Sequence, residues 1–140
     1  MKGDLSKFPS VLKKGFRENS ISFPDGTEFK YSPLEAYRKI TRKENDTNIV
    51  ISGNDFKSYA ELKKIPRGVD TNSASYYSCS FNISLEMLKV VLKLPRKNCY
   101  IIRGQIDDSL GPKFGPREKG HIDLWLYSRT DLAQKFKVVQ

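Results

Sequence analysis

The clearest pattern in the chain is an alternation of apolar and polar residues over positions 121–127. With a period of two, aliphatic residues fall on one face of a predicted strand, and polar and aromatic residues fall on the other. The aliphatic face consists of Ile122, Leu124 and Leu126, and the second face of His121, Asp123, Trp125 and Tyr127. We expect the aliphatic face to be buried. The second face is a candidate site, and His121 is the only histidine in the chain.

Shorter alternating or β-branched runs predict the remaining strands. They comprise a hairpin over 20–31 that turns at Pro24-Asp25-Gly26-Thr27, and strands over 48–52, 76–81, 99–106 and 135–139. Residues 107–120 form a loop between two strands, and a loop of this length is typical of functional segments.

Apolar residues at helical spacing predict three helices. These are a short amphipathic helix within the basic segment 1–19, a helix over 55–64 capped by Asn54, and a helix over 83–94 ended by Pro95. Residues 32–41 fit two structures. Ser32 followed by Pro33 and Glu35 favours a helix start, but the alternation along the segment also allows a strand.

The order of these elements predicts an α+β fold with mixed or antiparallel sheets and about three helices. At 140 residues the chain is expected to form one domain, with the basic segment 1–19 followed by a core over 20–140.

Composition narrows the choice of partner. The formal charge of +9 and a pI of about 9.6 favour an anionic partner such as nucleic acid, a nucleotide cofactor or an anionic surface. No apolar run has the length of a membrane span, and the N-terminus lacks the apolar core of a signal peptide. We therefore expect no membrane partner, and a location in the cytoplasm or export without a cleaved signal. The two cysteines form no disulfide framework, and no Cys/His cluster has zinc spacing.

Five residues carry the candidate chemistry. On a strand, His121 and Asp123 share a face and lie about 6–7 Å apart, so they can line one site without touching. Ser78 and Ser80 likewise share one face of a strand that precedes a helix. Arg38 lies about 40 positions before these serines and directly follows an aromatic residue, Tyr37.

The order of these residues and of the predicted elements along the chain resembles that of the ADP-ribosyltransferase toxin family. That family carries an aromatic-Arg pair on an early strand, a Ser-Thr-Ser strand, a helix, a strand, a loop, and Glu/Gln-x-Glu at the start of another strand. The counterparts in this chain are Tyr37-Arg38, Ser78-Cys79-Ser80, the helix 83–94, the strand 99–106, the loop 107–120 and His121-Ile122-Asp123. The resemblance implies a bacterial toxin or effector domain that uses NAD as its cofactor and modifies a macromolecular acceptor. The resemblance also implies an immunity protein as a further partner of such a toxin.

The resemblance also implies a role for each residue. Arg38 would bind the NAD diphosphate, because a planar guanidinium suits phosphate. Ser78 would order the site around the nicotinamide ribose, and Ser80 would contribute to the cofactor site. Asp123 would bind the ribose hydroxyl and stabilise developing positive charge. His121 would stand where the family's first Glu/Gln meets the acceptor.

Two positions depart from the family pattern. Cys79 stands where the family has threonine, and His-x-Asp replaces Glu-x-Glu. Aspartate is one methylene shorter than glutamate, and a misplacement of about 1 Å can cost about a hundredfold in rate. Glu118, three residues before the strand, is an alternative carboxylate.

A second resemblance concerns Gly120-His121-Ile122-Asp123-Leu124-Trp125, which is similar to the Gly-His-x-x-Leu-Trp segment of type VI secretion amidase effectors. These papain-like enzymes cut peptidoglycan peptides. The resemblance implies Cys79 as nucleophile, His121 as base and Asp131 as the orienting group. Two alternatives carry no motif of their own: a nucleic-acid-acting toxin that uses His121, Arg38 and lysines on phosphates, and a non-catalytic interaction domain.

Overall fold

The computed structural model describes residues 5–43, 49–94, 96–128, 130 and 132–140. Three α-helices and six β-strands lie in these ranges. The helices are α1 (Ser10–Glu18), α2 (Tyr59–Leu62) and α3 (Leu85–Leu92). The strands are β1 (Leu34–Thr41), β2 (Cys79–Asn82), β3 (Cys99–Ile106), β4 (Lys113–Phe114), β5 (His121–Leu124) and β6 (Phe136–Val138). The predicted α+β class is confirmed.

All six strands join one antiparallel sheet in the order β4-β5-β2-β1-β3-β6. The pairing of β1 with β3 runs along both strands, from Leu34 opposite Ile106 to Thr41 opposite Cys99. On its other side β1 pairs with β2 at one position, where Tyr37 lies opposite Asn82. The sheet is therefore only weakly joined between β1 and β2, and this opening positions the site described below.

The segment 32–41 is a strand, so the slight preference for a helix was wrong. Its pairing with β3 satisfies backbone groups along one edge of the strand, and the alternation buries Ala36 and Ile40 at 0% and 3% exposure. Non-local pairing and burial outweighed the local start signal of Ser32-Pro33. Arg38 consequently lies on a strand.

Two apolar clusters bury the aliphatic residues of β5 and, just beyond the end of the strand, Trp125. The larger contains Ile122 and Leu124, with residues of β1, β2, β3 and β6. In the second, α1 contributes Leu12, which packs in one cluster with Trp125. The aliphatic face is buried as predicted, but the opposite face is buried as well, since Trp125 is 0% exposed.

The predicted hairpin over 20–31 does not form. Its turn is present, with the Thr27 amide donating to the Pro24 carbonyl at 3.2 Å, but the flanking residues do not pair with each other. Instead, Glu28 bridges Lys113 of β4, and Phe23 packs against Trp125 with ring centroids 4.8 Å apart. The apolar side chains of this segment pack beneath α1, which removes them from a hairpin.

The region between β1 and β2 is less regular than predicted. Asn48 of the expected strand 48–52 lies outside the described residues, and 49–52 form no strand. The expected helix 55–64 is divided into a 3-10 turn, Gly53–Phe56, and the four-residue α2. Ser52 and Ser58, not Asn54, stand at the N-caps of these two turns. Ser58 forms a reciprocal capping box with Glu61, and the Ser52 amide donates to Asp55.

The remaining elements keep their predicted type, and all but the strand 99–106 have shifted ends. The strand expected over 76–81 begins at Cys79, because a 3-10 turn occupies Ala74–Tyr77. Helix α3 begins after its cap, Ser84, and ends at Leu92, while Pro95 lies outside the described residues. The strand β5 ends at Leu124, three residues early, and the loop 107–120 contains β4. In the described ranges, no helix is long and apolar enough to cross a membrane.

Candidate functional site

Asp123 is the most unusual residue of the sheet, because its carboxylate is charged yet only 2% exposed. Three side chains approach it closely. His121 Nε2 and Ser78 Oγ each lie 2.9 Å from Oδ1, and Arg117 Nη2 lies 3.0 Å from Oδ2. A buried carboxylate is stable only when it is paired and hydrogen-bonded, and this one is both.

The surroundings of Asp123 keep it ionised. Burial acts to raise the pKa of Asp123, but the hydrogen bond and charge of His121, with contributions from Ser78 and Arg117, outweigh it and lower the pKa below its usual value. Asp123 therefore remains a carboxylate at neutral pH, where it can accept hydrogen bonds and cannot donate one.

His121 connects this buried carboxylate to the surface. We expected the two residues to share a face without necessarily touching, whereas the imidazole is hydrogen-bonded to the carboxylate, as the 2.9 Å distance shows. Because ionised Asp123 accepts this bond, neutral His121 carries its proton on Nε2 and leaves Nδ1 as the acceptor. The His121 side chain is 35% exposed, so it is the accessible member of the pair.

Local structure on each side positions the partners of Asp123. Ser78 follows the 3-10 turn Ala74–Tyr77, and its amide donates to the Ser75 carbonyl at 3.1 Å. Arg117 begins a tight loop in which its amide donates to the His121 carbonyl at 2.8 Å. Sequence reasoning did not identify Arg117, although it lies within the loop 107–120 that was predicted to be functional.

A cleft of about 630 Å³ opens between β1 and β2, within the volume range typical of small-molecule sites. Its walls come from β1, β2, α2, α3 and the turn before β5. The cationic lining residues are Arg38, Lys39, Lys57, Lys64 and Lys119, and the acidic ones are Asp55 and Glu118. Asp55 is paired with Arg42 at 2.7 Å, so the cleft presents a surplus of positive charge.

Arg38 spans the opening between the strands. Its Nε donates to the Asp55 carbonyl and its Nη1 to the Ser80 carbonyl of β2, each at 2.8 Å. Within the described residues, Nη2 has no hydrogen-bond partner in the protein. The guanidinium is thus fixed by two carbonyls while one nitrogen stays available to an anionic ligand.

The structure brings most of the predicted site residues together. Arg38, Ser78, Ser80 and His121 all line the cleft, although Arg38 and His121 are each about 40 positions from the serines in sequence. Asp123 lies behind them and is not part of the lining. Its predicted direct contact with a ribose is therefore not available in this structure. Glu118, the alternative carboxylate, is exposed and lines the same cleft.

Cys79 does not take part in this site. It lies opposite Leu124 on β5, whereas His121 lies opposite Asn82 three positions away, so the two side chains project to opposite faces of the sheet. Cys79 is 2% exposed, and burial raises the pKa of its thiol to about 11, so it carries no thiolate at neutral pH. The predicted pairing of Cys79 with His121 is therefore not formed. Asp131, its proposed third member, lies outside the described residues.

Within the described ranges, no group of three His, Cys, Asp or Glu side chains could hold a metal ion. The chain matches no family model, no curated protein and no solved structure.

Proposed function

We propose that this chain is an ADP-ribosyltransferase-like domain that binds NAD in the cleft between β1 and β2. The observation that carries the proposal is the convergence of Arg38, Ser80 and His121 on one cleft with a surplus of cationic side chains. A diphosphate carries negative charge, so it suits this lining. The volume of about 630 Å³ is compatible with a nucleotide ligand.

The geometry supports residue roles that differ in part from those implied by the family resemblance. Arg38 would bind a phosphate through its available Nη2. Glu118, as the exposed carboxylate of the lining, would approach the ribose and favour the positive charge that develops as nicotinamide leaves. His121 would meet the acceptor, and Asp123 would act through His121 by holding its imidazole. In this arrangement Asp123 is a positioning residue.

The test is nicotinamide release from NAD by the purified protein, with a cell lysate as source of acceptor. We expect release by the wild type, and a loss of at least a hundredfold, about 3 kcal/mol of transition-state stabilisation, in Glu118→Gln. Asp123→Asn should reduce release by about tenfold, because it acts through His121.

Cys79→Ala is the matched control, since Cys79 is buried and does not line the cleft. It should leave the rate unchanged in the folded protein. The proposal fails if the folded wild type releases no nicotinamide in the presence of lysate. Equal release by wild type and Glu118→Gln would refute the role of Glu118.

Cleavage of RNA is a second candidate, and the His121–Asp123 pair favours it. A histidine held by a buried carboxylate is suited to proton transfer, and the cationic cleft is suited to a phosphodiester. This candidate predicts RNA cleavage that needs no NAD and is lost in His121→Ala. Cleavage by wild type and His121→Ala at the same rate would exclude it.

A further inference from the structure

Tyr59 is placed unusually for an aromatic residue. It exposes 44% of its surface, more than any other aromatic side chain in the described ranges, and it lines the cleft between β1 and β2. Exposed aromatic rings in cationic grooves are a recurring feature of proteins that bind nucleotides and single-stranded nucleic acids, because a base stacks on the ring.

The ring stands on a fixed element. Helix α2 has four residues, but a capping box closes its start and a side-chain hydrogen bond connects the residue beyond its end to another element. At its start, the Glu61 amide donates to Ser58 Oγ at 3.2 Å and the Ser58 amide donates to Glu61 at 3.1 Å. Just beyond its end, the Tyr76 hydroxyl donates to the Lys64 carbonyl at 2.8 Å. Stacking on Tyr59 therefore requires little ordering of the backbone.

The surroundings of the ring match a base with an attached phosphate. The aliphatic side chains of Leu88, Val91 and Leu92 on α3 contribute an apolar wall to the same cleft. Lys57 and Lys64 flank α2 in sequence and also line the cleft. An apolar wall, an exposed ring and neighbouring cations are the three features that a nucleoside phosphate requires.

We infer that Tyr59 is the stacking platform for the nucleobase of the bound nucleotide, with the phosphate directed toward the cationic side chains of the cleft. The inference deepens the proposed function and rests on its nucleotide-binding part. It assigns the base to the α2 side of the cleft and leaves His121 and Glu118 for the reacting end.

The experiment measures calorimetric binding of two probes, adenosine monophosphate and ribose 5-phosphate, which differ by the base. We expect Tyr59→Ala to weaken binding of adenosine monophosphate by about tenfold, the effect typical of one lost base-stacking contact. Binding of ribose 5-phosphate should be unchanged. Tyr59→Phe should retain the wild-type affinity for both probes, because it keeps the ring.

Ile65→Ala is the control for loss of exposed apolar surface near α2. Ile65 is 72% exposed and does not line the cleft, so this variant should bind both probes as the wild type does. Equal weakening of both probes by Tyr59→Ala would show a merely structural role and overturn the inference. Unchanged binding of adenosine monophosphate by Tyr59→Ala, or no binding of it by the wild type, would also overturn it.

These results are separable from those on the proposed reaction. If the wild type binds adenosine monophosphate in a Tyr59-dependent manner but releases no nicotinamide, the stacking role of Tyr59 stands and the transferase proposal is refuted. If the wild type releases nicotinamide but Tyr59→Ala binds adenosine monophosphate normally, the transferase proposal stands and the stacking role of Tyr59 is refuted.

Discussion

Asp123 shows how a single residue can link stability to the site. Its carboxylate is enclosed by the residue before β2, by β5 and by the loop before β5, which contribute the close donors Ser78, His121 and Arg117 in that order. Hydrogen bonds to a charged group contribute about 1.5–3 kcal/mol each, and removing the charge weakens all of them together. The same contacts fix the imidazole that faces the cleft.

We predict that Asp123→Asn lowers the free energy of unfolding by about 2 kcal/mol at pH 7. The lowered pKa of Asp123 means that the folded state favours the carboxylate. Its contribution is fully present above the unfolded-state pKa of about 3.9 and is lost as the pH falls through the lower, folded-state pKa. Urea unfolding should therefore show the difference between wild type and variant narrowing below about pH 4.

Asp25→Asn is the control for this measurement, because Asp25 is exposed in the turn before β1. Its unfolding free energy should follow that of the wild type at every pH. A difference between Asp123→Asn and wild type that stays constant down to pH 2 would contradict the role of the ionised carboxylate.

Gly111 is a second residue whose identity is dictated by its position. Its φ is +146°, and a Cβ built there would lie 1.9 Å from the Trp125 carbonyl oxygen, which is a backbone atom. We expect Gly111→Ala to lower the free energy of unfolding by about 3 kcal/mol or more. Gly68 also has a positive φ, +80°, but a Cβ there meets nothing within 4 Å. Gly68→Ala should cost only about 1 kcal/mol, measured by thermal or urea unfolding. Equal losses at the two glycines would contradict this reading.

At the scale of elements, α1 acts as the cover of one sheet face. Phe8 and Leu12 are 2% and 4% exposed and belong to the same apolar cluster as Trp125. This packing explains why the chain is buried just beyond β5. It also explains why Trp125, on the predicted functional face, is a core residue whose Nε1 donates to the Ala74 carbonyl at 2.9 Å.

Leu12→Ala should therefore destabilise the domain by about 3 kcal/mol and admit water to Trp125. Trp125 is the only tryptophan in the chain, so its fluorescence reports this directly. We expect a red shift in the folded variant. Val11→Ala is the neighbouring control, because Val11 is 37% exposed, and it should change neither emission nor stability by more than about 0.5 kcal/mol. An unshifted Leu12→Ala spectrum would contradict the covering role of α1.

Elements with strong local patterns could be predicted from the sequence. The strand 99–106 is found with its predicted bounds, since its apolar β-branched residues favour a strand in any context. The segment 32–41 could not be settled locally, because the choice between helix and strand depended on partners at residues 99–106. The hairpin at 20–31 failed for the same reason, since its apolar residues pack against distant α1 and Trp125.

The parts of the site that depend on local sequence pattern could be predicted. The pattern placed His121 and Asp123 on one face of a strand, but period-two reasoning gave no sign of a direct contact between their side chains. It also gave no sign that α1 would bury the face. Arg117 contacts Asp123 through a tight loop whose shape depends on backbone bonds to His121, and no sequence motif encodes that shape.

At the scale of the whole molecule, the weak joining of β1 to β2 determines where a ligand could bind. One paired position between them leaves a cleft instead of a continuous sheet surface. The chain carries a formal charge of +9, and the cleft shares this excess. Cationic clefts attract anions through fields that salt screens. We therefore regard nucleotide binding in this cleft as the central claim.

The measurement that tests this claim most directly is an NMR titration of the His121 imidazole with NAD. His121 is the only histidine, so its imidazole signals overlap with those of no other histidine. We predict a saturable shift of these signals that weakens at high salt and is lost in Arg38→Gln. Arg103→Gln is the control, because Arg103 is a half-buried arginine that does not line the cleft, and it should behave as the wild type. Imidazole signals of the folded protein that stay unchanged up to millimolar NAD would contradict the account.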